Sequence, residues 1–457
     1  MNELSKVSHA LSAAQSEVWL AETLTPGTAQ YNIAEYLEIH GPVDEALFEA
    51  ALRQVVLEAE SLNVTFVEDV DGPRQILDAS VNWSLSVIDV SAESDPQAAA
   101  EGWMQADLAR PVVPTCGPLF AYALFRAGSD RFFWYQRNHH IVMDAFGGGL
   151  IARRLAEIYT ALVEGREPQP NPFRPFRDLL TADADYRDSE AFRRDRQHWL
   201  ERLAGRPEPV SLAGRQAPVL GIRRRRTLLP DETTMALRER AGAAGSTFPQ
   251  MLIALAVAYL HRMSGETDLV VGLPVTARAG RELRRIPGMI SNVVPLRLTV
   301  GPEMALADLL GQVGGAVHRA LRHQRYRSED LRRDLELGTG RPLFATTINI
   351  MSFDYDIRFA GHAASARNVS NGLARDLDLY VCDRGPGQAI EIGFDANAAL
   401  YSADDLASHE GRLTRLLEAA AADPARPIGS IDLLDPEERR RILVEWNDTA
   451  HPVPAAT

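Results

Sequence analysis

Two adjacent histidines, an aspartate and three consecutive glycines lie close together near position 140. They are His139, His140 and Asp144, followed by the glycines at 147–149. A neutral imidazole titrates near physiological pH and can accept a proton from, or orient, an attacking amine or hydroxyl. Glycine leaves the backbone bare, which suits a position that a substrate must approach closely. The group is therefore a candidate centre for acyl transfer.

The flanking segments predict that this group lies where a strand meets a helix. Residues 131–137 are rich in aromatic side chains, as is typical of a strand, and residues 150–162 repeat apolar residues at helical spacing. Asp144 precedes the helical pattern and is a candidate N-cap. Three glycines in the first turn oppose helix formation by about 1 kcal/mol each relative to alanine. Such conflicts with local preference tend to occur at functional positions.

Three interpretations of the group are open at this point. Two histidines and a carboxylate could bind zinc, but adjacent histidines on a strand point to opposite faces, so only one shares a site with Asp144. In a structural interpretation, one histidine packs beside the aromatic residues and Asp144 only caps the helix. Acyl transfer fits best because the glycine cluster adjoins the histidine and aspartate. We therefore predict no metal site.

The sequence offers no covalent nucleophile for such a reaction. It has no G-x-S-x-G motif, and neither Cys116 nor Cys382 lies in a motif that would activate a thiolate. Direct transfer between two bound reactants is the chemistry that remains.

Composition and charge argue against several classes of partner. The 457 residues carry a net charge of −14, which disfavours nucleic acid because phosphate binding needs a surplus of Lys and Arg on one face. We interpret the arginine run at 223–226 as a solvated edge or loop in preference to an anion site. The longest apolar run, at 251–260, is far shorter than the ~20 residues that cross a bilayer, and the amino terminus lacks a secretory-signal pattern. These features predict a cytoplasmic protein without a membrane partner.

The sequence patterns indicate two halves, each with a mixture of helices and strands. Residues 164–175 are dense in proline and charge, which is typical of a linker between domains. Strand and helix patterns alternate on both sides of this segment, so we expect an α/β protein of two layered halves. A cleft between the halves is the expected place for a substrate.

Several motifs make the chain resemble a condensation domain of nonribosomal peptide synthetases, whose core motif is HHxxxDG. Besides His139, His140 and Asp144, the matching segments, in the family's order, are Ser12-Ala13-Ala14-Gln15 with Trp19, Pro287-Gly288-Met289-Ile290-Ser291-Asn292-Val293, His323-Gln324-Arg325-Tyr326 and Pro342-Leu343-Phe344. The end of the chain, from Leu433 to Ala450, is similar to the linker that leads into an adenylation domain. The chain is thus expected to be a piece of a longer synthetase.

The resemblance implies a fold and a set of partners. It implies two chloramphenicol-acetyltransferase-like lobes in a V-shaped pseudodimer, at residues 1–175 and 176–430, followed by a linker at 431–457. Donor and acceptor peptidyl carrier proteins would enter a tunnel from opposite sides, each bringing a thioester on a 4'-phosphopantetheine arm. No cofactor would bind to this chain directly, and a downstream adenylation domain would follow it.

The resemblance also implies roles for individual residues. His140 would lie next to the reacting amine, while His139 and Asp144 would hold the local geometry. The residues expected to contact substrate are Ala145, Gly147, Gly148, Asn292 and Asn349.

Two departures from the family pattern affect these expectations. The motif glycine after the aspartate is Ala145 here, and a methyl group could strain the backbone or narrow the tunnel beside the donor arm if the position needs φ > 0. Residues 58–66 lack both arginines of the corresponding family segment, so Asp144 must find another cationic partner or rely on hydrogen bonds. Segments at 292–296, 323–326 and 349–355 resemble the subgroup near the enterobactin-type synthetase, which accepts an aryl or acyl donor.

Three rival functions are compatible with the histidine motif. An epimerisation domain shares the motif but usually follows a carrier protein, so the linker-like Trp446-Asn447-Asp448 disfavours it. A plant-type acyltransferase would add a D-F-G-W-G segment, which the sequence lacks. A non-catalytic docking platform usually has a degraded motif; here the histidines and Asp144 are intact, and only Ala145 favours that alternative.

Overall fold

The computed structural model describes residues 8–77, 81–219, 221–338, 341–352, 356–383 and 389–449. The subgroup motif at 353–355 and the end of the predicted linker, at 450–457, lie outside these residues. Within the described residues no single helix is long and apolar enough to cross a membrane; one sharply bent pair, Asp231–Ala243 with Phe248–Ser264, passes that test by length and composition only.

Helices and strands alternate along the chain, which confirms the expected α/β class. The strands are β1 (Ser8–Ala10), β2 (Asn32–Ile39), β3 (Val64–Asp69), β4 (Gly72–Leu77), β5 (Leu85–Asp89), β6 (Phe120–Arg126), β7 (Phe132–His139), β8 (Ile222–Leu228), β9 (Asp268–Val275), β10 (Asn292–Thr299), β11 (Ile348–Ser352), β12 (Ile357–Phe359), β13 (His362–Asn371), β14 (Leu377–Asp383) and β15 (Glu391–Asn397). The helices are α1 (Ala13–Leu24), α2 (Glu45–Glu58), α3 (Pro96–Leu108), α4 (Ala145–Val163), α5 (Phe176–Arg187), α6 (Glu190–Leu203), α7 (Asp231–Ala243), α8 (Phe248–Ser264), α9 (Leu306–Arg322), α10 (Ser328–Asp334), α11 (Ala403–Ala422) and α12 (Pro436–Arg440).

Side-chain caps fix where the helices next to the site begin. The Asp144 side chain accepts a hydrogen bond from the Gly147 backbone N–H, so the predicted cap starts α4 despite its three glycines. Ser12 and Gln15 form a reciprocal capping box at α1, and Thr247 and Gln250 form another at α8. These caps orient three helices that pack on the sheets of the two halves.

The first half is built on a six-stranded sheet whose order is β12-β13-β2-β7-β6-β5. β7 lies at its centre, with β2 and β6 antiparallel on either side. β12 and β13 belong to the later part of the chain, yet β13 pairs with β2 over residues 364–371. The domain boundaries at 175 and 430 stay a prediction, but residues 357–371 share the sheet of the first half.

The second half contains a four-stranded sheet in the order β11-β14-β15-β8 and a hairpin of β9 and β10. An isolated bridge between Gly272 and Thr347 joins the hairpin to the start of β11. The arginine run forms β8, at the edge of the four-stranded sheet. The predicted edge position is therefore confirmed, although the side chains of this strand divide between two environments, as described below.

Each half has its own apolar core. The largest cluster joins α8, α9 and α11 to the second-half strands, and another packs α2 and α4 on one face of the six-stranded sheet. A smaller cluster, which includes Ala100 and Met104 of α3, covers the other face of that sheet. The face of β7 beneath α4 also reaches the space between the halves, which is where the histidine motif lies.

Candidate functional site

A cavity of about 560 Å³ lies between the two halves and is lined by both. Its first wall comes from β2, β7 and the start of α4; its second wall comes from β9, β10, β11, β14, β15 and neighbouring segments. His140, at the end of β7, faces this space together with Asp144 and Ala145. The structure thus places the predicted reactive histidine on the wall of a cavity large enough for a small acyl or aminoacyl group.

Hydrogen bonds fix the protonation pattern of the His140 ring. Its Nδ1 lies 3.0 Å from the Met143 carbonyl oxygen, which can only accept, so Nδ1 carries the proton and donates it. In the neutral ring Nε2 then has a lone pair, and the described residues provide no hydrogen bond to it. Burial lowers the pKa of His140, and the negative charge of Asp144 opposes this only in part. The imidazole is therefore neutral near pH 7 and able to accept a proton.

His139 faces a different environment from its neighbour. Its Nδ1 accepts a hydrogen bond from the Ile141 backbone N–H at 3.2 Å, so its Nε2 donates to Glu22 of α1, also at 3.2 Å. The ring is buried and lies outside the cavity lining. Both ring nitrogens are engaged, so His139 holds the strand end against α1. The two histidine rings lie in different environments, which is what the alternation of side chains along a strand predicts.

Asp144 is held by a buried arginine from the second half of the chain. The two guanidinium nitrogens of Arg278 lie 2.7 and 3.0 Å from its carboxylate oxygens, and both side chains are almost completely buried. The Ile290 and Ser291 backbone N–H groups donate to the same carboxylate at 3.0 and 2.9 Å. Burial alone would raise the pKa of Asp144, but the Arg278 charge and these hydrogen bonds outweigh it and hold the pKa below its usual value.

Arg278 is the functional residue that the sequence did not reveal. It supplies the cationic partner expected for Asp144, and its guanidinium also donates to the Gly288 carbonyl oxygen at 3.1 Å and lies 4.6 Å from the centre of the Phe146 ring. Since Asp144 begins α4 and Arg278 follows β9, the ion pair ties the two halves together directly behind the reactive histidine.

Three small residues at the start of α4 have different roles. Ala145 is the first helical residue and is absent from the residues with positive φ, so the strain considered for it does not arise; its methyl group faces the cavity. Gly147, expected to contact substrate, lies outside the cavity lining. A Cβ there would sit 2.5 Å from the Met143 sulfur and 3.0 Å from the Gly288 backbone nitrogen, so close packing between the halves requires this glycine. Gly148 does line the cavity.

The two asparagines expected to contact substrate both line the second wall. Asn292 donates its amide protons to the carbonyl oxygens of Gln324 and Tyr326, at 2.9 and 2.7 Å, so its amide nitrogen holds the α9–α10 connection. Asn349 lies on β11 opposite Tyr380 of β14. A direct substrate contact is therefore easier to assign to Asn349 than to Asn292.

Two arginines that the sequence interpretation placed in solvent instead pair with Asp395, a residue of the second wall. Arg224 and Arg226 of β8 both pair with Asp395, at 3.3 and 2.6 Å, whereas Arg223 and Arg225 point away from it. Burial also raises the pKa of nearby Asp378, which lines the cavity, to about 7. The solvated-edge interpretation is thus wrong for Arg224 and Arg226, because the two-residue alternation of a strand turns them inward.

Comparison with known proteins identifies relatives over nearly the whole chain. The family model described as Condensation domain matches residues 6–443. The dimodular nonribosomal peptide synthase of Bacillus subtilis (strain 168) is 44% identical over 98% of this chain and 19% of its own length. Enterobactin synthase component F of Escherichia coli O157:H7 is 31% identical over 98% of this chain and 35% of its own length.

Solved structures also match over most of the chain. A mutant of the starter condensation domain of rhizomide synthetase RzmA, in complex with C8-CoA, superposes with a TM-score of 0.90 at 46% identity, over 94% of this chain and 98% of that one. The first condensation domain of the calcium-dependent antibiotic synthetase, in complex with a substrate analogue, gives a TM-score of 0.89 at 35% identity, over 94% of this chain and 100% of that one.

Proposed function

The chain belongs to the condensation-domain family of nonribosomal peptide synthetases, and we propose that it joins a donor acyl thioester to the amine of an acceptor aminoacyl thioester. It has the mixed α/β fold of that family, which is chloramphenicol-acetyltransferase-like. The observation that carries the proposal is His140, whose neutral ring faces a cavity shared by both halves and has Nε2 available for a reactant.

The partners form part of the same proposal, because the chain spans about a fifth of the length of the Bacillus relative and about a third of the enterobactin one. Both thioesters would arrive on 4'-phosphopantetheine arms of peptidyl carrier proteins, one at each side of the cavity. An adenylation domain would follow in the same synthetase, and the assembly would work in the cytoplasm. Two carrier proteins would explain why both halves of the chain line the cavity.

The reaction replaces the C–S bond of the donor thioester with a C–N bond. The acceptor amine nitrogen attacks the donor carbonyl carbon, a C–N bond forms, the C–S bond breaks, and the donor arm leaves as a thiol. His140 Nε2 accepts a proton from the attacking amine and can return it to the leaving sulfur. Asp144 keeps the helix start and the histidine in register through Arg278. A thioester is already reactive toward amines, so positioning the reactants supplies much of the rate.

A reconstituted coupling assay tests the proposed function. The chain is mixed with one carrier loaded with a donor acyl group and another loaded with an amino acid, and intact-protein mass spectrometry follows both carriers. We expect the acceptor carrier to gain the mass of the donor acyl group. Unchanged carriers would favour a docking platform, and a change in stereochemistry without coupling would favour epimerisation.

The rate of coupling should depend on pH through His140. Because burial places its pKa below the ordinary 6.5, the ring stays neutral and active down to pH values below 6.5 and loses activity only when more acid conditions protonate it. Single-turnover rates measured from pH 8 downward into acid, in the wild type and in His140→Ala, test this. An acid limb below pH 6.5 that is equally large in His140→Ala would contradict the assignment.

The type of donor can be narrowed further. The match to a starter condensation domain in complex with C8-CoA supports a donor acyl group without an α-amine.

A further inference from the structure

Ala277, the residue that precedes Arg278, has an unusual backbone conformation. Its φ is 52°, in the left-handed region where the Cβ of an L-residue crowds the following carbonyl oxygen. Three non-glycine residues in the described parts of the chain have positive φ: Glu336 is exposed, Ala360 is half-buried and Ala277 is buried. Such conformations persist only where the surroundings hold them, and they are concentrated at functional sites. The contacts of Ala277 should therefore show what holds Arg278 in place.

The left-handed conformation of Ala277 directs Arg278 toward Asp144. The chain turns sharply after β9, and the Ala279 N–H donates to the Ala277 carbonyl oxygen at 3.1 Å. The Arg278 guanidinium comes back to 3.4 Å from the Thr276 carbonyl oxygen and reaches the Asp144 carboxylate at 2.7 Å. Because Arg278 is bonded directly to Ala277, an ordinary negative φ at Ala277 would redirect Arg278 and carry its guanidinium away from Asp144.

The side chain of Gln324 holds Ala277 in this conformation. Gln324 Oε1 accepts a hydrogen bond from the Ala277 backbone N–H at 3.0 Å. Gln324 Nε2 donates to the Leu321 carbonyl oxygen at 2.8 Å, so the amide is oriented with its oxygen toward Ala277. Ala277 belongs to a small apolar cluster with Leu283 and Ile290, where an unpaired N–H is costly. The hydrogen bond from Gln324 therefore stabilises the turn that carries Arg278.

The segment that carries Gln324 is itself held from two sides. Asn292 of β10 donates to the Gln324 carbonyl oxygen at 2.9 Å. The preceding residue, His323, donates through Nδ1 to Asp195 of α6 at 2.7 Å, and its carbonyl oxygen accepts from Trp199 Nε1 at 3.1 Å. Two different elements thus fix the backbone beside Gln324. A side chain supported in this way can hold a neighbouring turn in one position.

Direct contacts connect Gln324 to the reactive histidine. Gln324 holds Ala277, and Arg278, the next residue, holds both oxygens of Asp144. Asp144 starts α4 and lies four positions after His140. Neither Gln324 nor Ala277 is among the residues that line the cavity. Gln324 can therefore affect coupling only by positioning other residues.

We infer that Gln324 is a positioning residue for amide formation, because it holds Ala277 in the left-handed conformation and so fixes Arg278 against Asp144. This inference rests on the proposed function and names a further residue that serves the same site. It also gives a role to the 323–326 segment, which the sequence matched to the family. The alternative is that Gln324 serves only to satisfy the Leu321 carbonyl oxygen at the end of α9.

Gln324→Met removes the acceptor for the Ala277 N–H and keeps a side chain of similar length. We expect kcat for coupling to fall about tenfold, because small displacements of catalytic groups are costly in rate. The KM for the loaded acceptor carrier should change less than about twofold, since the cavity lining is intact. Gln312→Met is the matched control: Gln312 is exposed on the same helix, and its amide has only a 3.7 Å contact with the Met304 sulfur. It should couple at the wild-type rate.

Gln324→Glu separates the two hydrogen bonds of the Gln324 side chain. A carboxylate still accepts from the Ala277 N–H but cannot donate to the Leu321 carbonyl oxygen. We expect this variant to keep kcat within about threefold of the wild type. If it were as slow as Gln324→Met, the contact with Leu321 would be the one that matters, and the inference would be overturned.

A double-mutant cycle with Ala277→Gly tests the role of the left-handed conformation. Glycine adopts positive φ without crowding, so the turn no longer depends on Gln324 to the same extent. In the Ala277→Gly background, Gln324→Met should lower kcat by less than about threefold, compared with about tenfold in the wild-type background. Equal losses in the two backgrounds would also overturn the inference.

Hydrogen exchange followed by mass spectrometry on the same variants separates this inference from the proposed function. Gln324→Met should speed exchange of the amides at 277–278 and of Gly147, whose N–H donates to Asp144. Gln312→Met should not. Faster exchange in Gln324→Met, together with a wild type that couples nothing, would reject the amide-forming function and retain the positioning of Arg278. A wild type that couples, with Gln324→Met equally fast, would retain the function and reject the inference.

Discussion

Replacing Arg278 with methionine is expected to lower the free energy of unfolding by about 3–5 kcal/mol, because it leaves a buried carboxylate without its charge partner. The Arg278 side chain is fully buried and holds both oxygens of Asp144. The loss would also free the two halves to shift relative to His140. Urea denaturation, followed by circular dichroism, measures the change in stability.

The exposed pair of Arg193 and Glu190 provides the control. Arg193→Met should cost less than about 1 kcal/mol, since both side chains are largely exposed. The pH dependence gives a second check. The pKa of Asp144 lies below its usual 3.8, so the pair stabilises the fold above that value and the contribution is lost as pH falls through the lowered pKa. The deficit of Arg278→Met should therefore shrink in strong acid; a cost below 1 kcal/mol at pH 7 would contradict the assigned role.

His140→Ala is expected to lower the single-turnover coupling rate by about 10²–10⁴ without abolishing it. The variant loses the proton acceptor at the cavity wall, while the cavity still holds both thioesters together. Measurement requires loaded carriers under conditions where the wild type completes coupling, with thermal unfolding run alongside. Residual product above the uncatalysed rate would support a large positioning contribution.

The exposed His40 is the matched histidine, because it lies on the first half but outside the cavity lining. His40→Ala should couple at the wild-type rate. If His140→Ala coupled as fast as the wild type, with its fold intact, the role assigned to the ring would be rejected. If it lost all coupling together with its thermal transition, a His140→Gln variant would separate folding from chemistry.

Sequence patterns predicted most elements near the site because those elements combine apolar periodicity with a local start signal. The aromatic segment expected to be a strand, at 131–137, lies in Phe132–His139, and the helical pattern at 150–162 lies in Ala145–Val163. Aromatic residues favour the pleated strand, and the Asp144 side chain satisfies a backbone N–H at the helix start. Local sequence signals were therefore sufficient to predict this strand and this helix.

β13 and α5 are among the elements that the sequence patterns did not predict, because nothing local specifies them. β13, with the sequence HAASARNVSN, contains few residues that favour strands, and it is extended because it completes the hydrogen bonding of β2. α5 follows the proline-rich segment and has no side-chain cap, so the linker signal concealed its start. Both depend on tertiary contacts.

The site residues likewise include some that local sequence predicts and one that only tertiary structure brings in. His140, Asp144 and Gly148 were predicted from one stretch of sequence, and the structure places all three on the cavity wall. Arg278 lies 134 positions from Asp144, and no spacing rule connects them. The only available signal was that Asp144 needed a cation, which sets the charge of the partner but not its position. Gly147 was assigned to substrate because a glycine required by packing and one required by a ligand look identical in sequence.

β13 is synthesised long after β2, the strand with which it pairs, and this delay affects folding during biosynthesis. Roughly 330 residues separate the paired positions of β2 and β13, so at about 5–20 residues per second a ribosome needs about 16–65 s to supply the missing neighbour. During that interval the backbone of β2 offers unpaired N–H and C=O groups to any other nascent chain. A hybrid synthetase spliced at the proline-rich segment would replace β13 with that of another parent, so its yield of folded protein would depend on how well the foreign strand fits this edge.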